Sequence, residues 1–475
     1  MSGTGAWTFS TGVSLLLEHL GIVVGFVLGL LLVTRVLRQH TRPVTSIAWM
    51  LFMVLAPWVG VPAYLLFGGR KIRQLSRRKP PYFPHEPSTA LALDAASGEP
   101  LDEIARRLTA CGMPPPRAGN GFVPITDGKL AYDCLLSRID GARESIHLMT
   151  FILADDLVGR EIIRRLADRA RAGVRVRVLV DALGSLRVRC TRLRQLREAG
   201  AEVGVFMPML PLHRRWSANL RNHRKIAIFD GTLAVTGGMN LAQEYMGPLP
   251  GRARWIDTCA EITGPAVADL ANVFVRDWNF ATGDALAPPP PPPAHGPTAL
   301  QIAPNGPDVS GEPFYDVLTS AIYNARQRIW IVTPYFVPDE GLLRALGLQA
   351  RVGVDVRVVL PRRSNHRVAD FARNRLLREL VASGVRVFMH PRAMLHAKHI
   401  VIDDRVAISG SVNMDARSLY LNYEVAVFAY GRDAAERDAA WVERLMCDCV
   451  EGAVPDPGMP GRWAEDLCWL LSPLI

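Results

Sequence analysis

Two apolar runs open the chain. Leu20 to Thr34 carries no charge and extends back towards Val13 with Glu18 and His19 inside it, and Ser46 to Gly69 is a second, longer uncharged stretch. A helical span needs ~20 apolar residues, so the pattern predicts a transmembrane helical hairpin. Trp49 is expected at one interface and Tyr64 near the other, with Pro57 and Pro62 kinking the second helix. Nothing basic precedes the first run and a second run follows it, which argues for an anchor over a cleaved secretory leader. The connection holds Arg35, Arg38 and Arg42, whereas Arg70, Lys71, Arg73, Arg77, Arg78 and Lys79 follow the second run. The larger cluster predicts a cytoplasmic main body.

From Pro80 to Arg117 the chain is proline-rich, with one short helical pattern from Leu101 to Leu108, and reads as a linker. Helix-like and strand-like patterns then alternate in two similar series. The first runs through a helix around Leu135 to Ala142, a strand from Ser145 to Phe151, a helix from Leu157 to Ala172 and a strand from Val174 to Asp181. The second runs through a helix around Val317 to Ala325, a strand from Arg328 to Thr333, a helix from Gly341 and a strand from Val354 to Leu360. Each continues into an Arg-rich helix and a short strand, Ala201 to Phe206 or Val385 to Met389. Gly173 and Gly353 precede the matching strands, in AGVRVRVLV and VGVDVRVVL. Six consecutive prolines, Pro288 to Pro293, separate the series as a stiff extended spacer. The expected fold is α/β: two duplicated lobes, each a mixed sheet flanked by helices.

Composition narrows the function. A chain of 475 residues, 49% hydrophobic and 21% charged, is neither a disordered tail nor a many-span membrane protein. Of the net charge of +10, most sits in residues 1–80, which hold nine cations and one anion. The charge is thus a juxtamembrane collar suited to an anionic bilayer surface. The Arg clusters at Arg187 to Arg197 and Arg362 to Arg378 read as solvated helix faces, and no nucleic-acid partner is expected. The cations are 50 Arg and only 5 Lys, so each lysine is a candidate for a place where arginine does not serve. The seven cysteines are scattered without zinc-site spacing and fit a reducing compartment.

One motif occurs in both series. His223 and Lys225 are followed after four residues by Asp230, and after six more by Gly237, Gly238, Met239 and Asn240. His396 and Lys398 are followed at identical spacing by Asp403, then Gly410, Ser411, Val412 and Asn413. The residues after each lysine are strand-like, so His and Lys, two apart, share a face. A turn at Asp230 or Asp403 and a returning strand bring Asn240 or Asn413 beside them. Each half then offers an imidazole, an ammonium and a carboxamide. A lysine buried beside a histidine is costly without an anion to pair it, which points to a functional rather than a structural role for the repeated pair. For Asp230 and Asp403 a role in the hairpin turn and a role in chemistry stay equally open. His396 and His399 face opposite ways on a strand, and the first copy has Ile226 in place of His399, so no metal site is expected.

These residues resemble the phospholipase D superfamily, and the flanking segments resemble its bacterial cardiolipin synthase branch. Those segments are the N-terminal hairpin, Thr333-Pro334-Tyr335-Phe336-Val337-Pro338, Gly237 to Asn240, and Asn413 with Asp415, Arg417 and Ser418. The resemblance covers nearly the whole chain and implies two phospholipase D-like lobes packed around one active site. It divides the chain into a transmembrane hairpin with basic collar (1–80), a linker (81–117), a first lobe (118–284), a polyproline linker (285–298), a second lobe (299–450) and an apolar C-terminal segment (451–475). It implies a catalytic set of His223, Lys225, Asp230, His396, Lys398 and Asp403, with phosphate held by Lys225, Lys398, Asn240 and Asn413. Asp257 and Glu424 match each other in the two halves and are candidates to orient a histidine of the opposite lobe; Ser411 is a further supporting residue. His223 becomes the nucleophile by family precedent and His396 the general acid and base. The implied reaction joins two phosphatidylglycerol molecules into cardiolipin and glycerol through a phosphohistidine, without cofactor or metal, at a bacterial inner membrane. A phospholipid hydrolase, or a nuclease, is the alternative. The final stretch, Trp463 to Ile475, fits either an interfacial helix or one docked on the core.

Overall fold

The computed structural model describes residues 23, 27, 43–67, 102–188, 191–208, 220–248, 254–309, 311–452 and 454–471. Most of the first apolar run, the basic collar and the start of the expected linker lie outside these residues. The chain divides into two compact units, Met1–Gln74 with Ser217–Asn219, and Leu75–Trp216 with Leu220–Ile475.

In the smaller unit the second apolar run is two helices, Pro43–Leu55 and Pro57–Phe67, where a single kinked span was expected. A proline disfavours helical geometry in the residue before it and is well placed in a helix's first turn. The first helix therefore stops before Ala56, and Pro57 starts the second. Gly60 lets the reversed chain pass so close that a Cβ there would lie 2.5 Å from the Phe52 carbonyl oxygen. Trp49 and Tyr64, expected at opposite interfaces, instead meet edge to face with ring centroids 5.4 Å apart. Among the described residues no helix is long and apolar enough to cross a membrane.

Among the described residues the larger unit is built on one 15-stranded sheet. From one edge the first half contributes Glu202–Phe206, Arg175–Asp181, Ser145–Thr150, Ile226–Phe229, Leu233–Gly237, Cys259–Thr263 and Arg117–Ile125. The second half continues with Thr298–Asn305, Glu424–Tyr430, Val406–Gly410, His399–Ile402, Arg328–Val332, Asp355–Pro361 and Arg386–His390, ending in the short strand Val450–Glu451. Apart from that last strand the order is a palindrome, so the halves are copies meeting at one antiparallel seam between Arg117–Ile125 and Thr298–Asn305. Within each half three strands run parallel, joined by helices, and the remainder pair antiparallel.

The local reasons match in the two copies. The helices Leu157–Arg171 and Glu340–Arg351 are capped by Asp156 and Asp339, whose side chains accept from Gly159 N and Leu342 N. Just beyond their ends Gly173 and Gly353 adopt φ of +89° and +95°, a left-handed stop that glycine takes without strain. Within the expected linker, Glu103–Ala110 is a helix whose Ile104 and Leu108 pack into the second half's core. Residues 284–295, with the six prolines, have no regular structure. The C-terminal helix Gly458–Leu471 docks on the helix Arg367–Ala382 through Arg378 to Glu465 and Arg375 to Asp466. Its Trp463, Leu467 and Leu470 stay in solvent.

Candidate active site

His223 and Lys225 sit just ahead of the strand Ile226–Phe229, and His396 and Lys398 just ahead of His399–Ile402. Each strand forms a hairpin with the next, Ile226 opposite Thr236 and His399 opposite Ser409, which returns the chain to Asn240 and Asn413. Both histidines and both asparagines line one cavity of about 400 Å³ between the halves, with Phe151, Tyr245, Tyr335, Arg221 and Arg417 also on its wall.

The carboxylates cross between halves. His223 Nδ1 lies 3.0 Å from Glu424 Oε2, and His396 Nδ1 lies 2.6 Å from Asp257 Oδ2. A carboxylate on Nδ1 selects the tautomer whose proton is on Nδ1, leaving the Nε2 lone pair free for the cavity. Lys225 Nζ donates to the His223 carbonyl at 2.6 Å, and Lys398 Nζ donates to the His396 carbonyl and lies 2.8 Å from the ring's Nδ1. Burial pushes the lysines down, to about 7 for Lys225 and about 8 for Lys398. Burial also lowers His223, and with the Lys398 charge it takes His396 to about 3. The two carboxyls, Asp257 and Glu424, stay below their ordinary range although burial opposes it, because a lysine and a histidine face each of them. Near neutrality the resting site therefore carries neutral imidazoles beside a mostly protonated Lys398 and a half-protonated Lys225, whose charge an anion would stabilise.

Asn240 Oδ1 accepts from Ile152 N at 3.2 Å, while its buried Nδ2 has no partner among the described residues. At Asn413 it is Oδ1 that lacks one, with Nδ2 3.1 Å from Ser418 Oγ. With the Asn413 amide turned over, Ser418 donates to its oxygen and both asparagines present an N–H donor. The Gly-or-Ser position of the motif has a steric cause. A Cβ at Gly238 would lie 2.2 Å from Asp257 Oδ1, whereas Ser411 in the second copy fits and its Oγ accepts from Val425 N at 3.0 Å beside Glu424.

Asp230 and Asp403, for which the spacing leaves a turn role and a chemical role equally open, sit in the turns with φ of +51° and +53°, and neither they nor Lys225 and Lys398 are among the residues lining the cavity. The two aspartates lie beyond the far ends of their strands, seven residues from the histidines, ~23 Å along an extended chain. Asp230 accepts from the backbone N–H groups of Arg143, Glu144 and Ser145 at 2.7–3.1 Å, and Asp403 from those of Arg326, Gln327 and Arg328 at 2.8–3.1 Å. Each holds its hairpin to the entry of the central strand. Asp230→Ala is expected to cost about 1–3 kcal/mol of stability by stranding those donors, with turnover per folded molecule unchanged. Thermal unfolding and active-site titration measure the two effects, and a selective loss of turnover would restore the catalytic reading.

The structure also brings in residues that the motif did not mark. Arg224, between His223 and Lys225, is fully buried and spans the halves, donating to Asp277, to the Glu424 carbonyl and to the Asn305 carbonyl. His399 points away from the cavity, with Nδ1 2.9 Å from Asp438 and Nε2 2.6 Å from Thr258 Oγ1. Arg221 carried a legible signal, because it alternates with His223 and Lys225.

Comparisons with known proteins agree with this geometry. Residues 135–278 and 318–446 match the family described as "Cardiolipin synthase, PLD-like domain", and residues 27–69 match "Phospholipase_D-nuclease N-terminal". The chain is 34% identical over 460 residues to a cardiolipin synthase of Geobacillus kaustophilus, covering 92% of this chain and 90% of that one. It is 33% identical over 420 residues to cardiolipin synthase A of Pseudomonas putida, covering 86% of each. Among solved structures, phosphatidylserine synthase of Haemophilus influenzae shares the fold with a TM-score of 0.58 at 14% identity, over 79% of this chain and 100% of that one. With paired motifs facing one cavity and relatives that match nearly end to end, the chain belongs to the cardiolipin synthase family of phospholipase D-like proteins.

Proposed function

We propose that this protein is a membrane phosphatidyltransferase that makes cardiolipin and glycerol from two phosphatidylglycerol molecules. The observation that carries the reading is the reciprocal pairing, in which each cavity histidine takes its carboxylate from the other half. His223, whose side chain is the more exposed of the two (12% against 4%), attacks phosphorus through Nε2. The bond to the glycerol oxygen breaks, and His396 Nε2–H protonates that oxygen. The second phosphatidylglycerol then gives its hydroxyl proton to His396 Nε2 and attacks phosphorus, and the bond to His223 breaks. Lys225, Lys398, Asn240 and Asn413 surround the non-bridging oxygens as charge builds in the transition state. His396 is held neutral in the empty site, and the anionic phosphodiester between the lysines raises its proton affinity to that of an acid usable near neutrality. The apolar N-terminal runs and the basic collar support placing the body at the cytoplasmic face of a bacterial inner membrane.

Incubating detergent-solubilised protein with phosphatidylglycerol alone tests the reaction. Cardiolipin with released glycerol is expected; phosphatidic acid as the sole lipid product would overturn transfer in favour of hydrolysis.

The lysines set the pH dependence. Raising the pH through about 7 and about 8 removes the ammonium charges of Lys225 and Lys398 in the free enzyme, and a phosphodiester has no proton to supply in compensation. kcat/KM is expected to fall on this alkaline side. kcat, read on the complex, holds to higher pH because the bound anion keeps the lysines protonated. A kcat/KM profile flat to pH ~10, where unperturbed lysines titrate, would contradict this.

A further inference from the structure

The segments at the start of the two arginine clusters that read as solvated helix faces reach the cavity wall. One lip follows the strand Arg175–Asp181 and the other follows its counterpart in the second half, Asp355–Pro361. Leu183 from the first lip, and Asn365, His366 and Ala369 from the second, line the cavity. Both lips hold large apolar side chains in solvent: Leu183 and Leu186 are 45% and 49% exposed, Val368 and Phe371 36% and 44%. Beside them Arg187 on one lip, and Arg362, Arg363 and Arg367 on the other, are exposed cations.

Neither lip is free to fold these side chains inward. Asp181 Oδ1 accepts from Leu183 N at 2.8 Å and Gly184 N at 3.2 Å, and Ser185 Oγ donates to the Phe151 carbonyl at 2.9 Å. A Cβ at Gly184 would lie 2.3 Å from that same carbonyl oxygen, so the chain is pressed against the strand behind it. On the other lip the buried Arg373 donates to the carbonyls of Pro361 and Arg362 at 2.7 and 3.0 Å, and Asp370 accepts from Ser364 N at 2.8 Å. Outward apolar side chains are thus a built feature of both halves.

We infer that the two lips form a membrane-seating rim for an anionic bilayer. Leu186, Val368 and Phe371 enter the headgroup boundary while the flanking arginines pair with lipid phosphates, the combination that binds anionic interfaces. This deepens the lipid-transfer reading and rests on it. A cavity of about 400 Å³ takes a phosphodiester headgroup, and the acyl chains must stay in an apolar phase, because drawing them into water is unfavourable. Seating the mouth on the bilayer lets each lipid raise its headgroup into the site while its chains remain in the membrane.

The test uses the full chain reconstituted in phosphatidylcholine vesicles. Glycerol release is measured with long-chain phosphatidylglycerol in the bilayer, and with short-chain phosphatidylglycerol added at monomeric concentration. The double variant L186D/F371D is expected to lose about tenfold or more of the bilayer rate and to keep the short-chain rate within about twofold. L186S/F371S, a milder pair at exposed positions, is expected to show the same selectivity with a smaller loss. Equal loss on both substrates in the milder pair, or no loss on either in both pairs, would overturn the rim. Failure of the cardiolipin reading is separately visible, because the lipid product identifies transfer or hydrolysis in the unmodified protein.

Discussion

A His396→Ala variant is expected to release about one equivalent of nitrophenol from a phosphatidyl nitrophenyl ester and then stop, whereas His223→Ala releases none. The reasoning separates the two imidazoles by what each does to the departing oxygen. Nitrophenolate is a good leaving group that needs no proton, so loss of the acid spares formation of the phosphohistidine. Loss of the nucleophile spares nothing. In His396→Ala the acceptor hydroxyl has no base, and the phosphatidyl group stays on His223 Nε2 as an acid-labile, alkali-stable adduct seen as a mass increase on that peptide. With phosphatidylglycerol itself both variants are expected to fall by roughly 10⁴-fold or more, because groups acting as one unit do not contribute additively. A burst in His223→Ala and none in His396→Ala would reverse the assignment.

Replacing Arg224 is expected to be the most damaging change to stability outside the hydrophobic cores. Its guanidinium has no exposure and lies 2.8 and 2.9 Å from the two oxygens of Asp277, which is equally buried. It also donates to the Glu424 carbonyl at 2.7 Å and the Asn305 carbonyl at 3.1 Å, both in the other half. Asp308, as buried as Asp277, lies 3.7 Å from the same guanidinium, so Arg224→Ala leaves two carboxylates and two carbonyls without that cation, a loss of about 3–5 kcal/mol for one partner of a buried ion pair. The double change R224M/D277L is expected to recover part of it, since it removes the desolvation cost of one buried pair but leaves Asp308 buried without the cation it faces. Activity should not return in step, because the Glu424 backbone that Arg224 holds also sets the carboxylate on His223. Thermal unfolding together with turnover separates the two effects, and an Arg224→Ala protein within about 1 kcal/mol of the parent would refute the argument.

Much of this was legible because the duplicated motif writes its own geometry. His223, Lys225 and Asn240 are held near one another by a hairpin spanning few residues, so spacing sufficed to group them. Asp230 shares that spacing, which by itself leaves a turn role and a chemical role equally open; its partners are the N–H groups of residues 143–145, which no pattern around position 230 encodes. The break at Ala56 was announced by Pro57, but a proline inside an apolar run is compatible with a kink or a reversal. The close approach of Gly60 to Phe52 decided for reversal.

The alternating periods by themselves determined the α/β class, the two copies and the identity of the imidazoles, ammonium groups and carboxamides, because strands and hairpins are local and their side-chain order follows a short repeat. The matched positions of Asp257 and Glu424 already nominated them to orient a histidine of the opposite half; the tertiary structure supplied the contacts, across 201 residues from His223 in one case and 139 from His396 in the other. It also decided that Arg224 ties the halves together through Asp277 and the Glu424 and Asn305 carbonyls, and that the loops after Asp181 and Pro361 reach the cavity wall. Those relations depend on the palindromic joining of two sheets at one seam, and contacts across a seam leave no periodic trace in the chain that forms them.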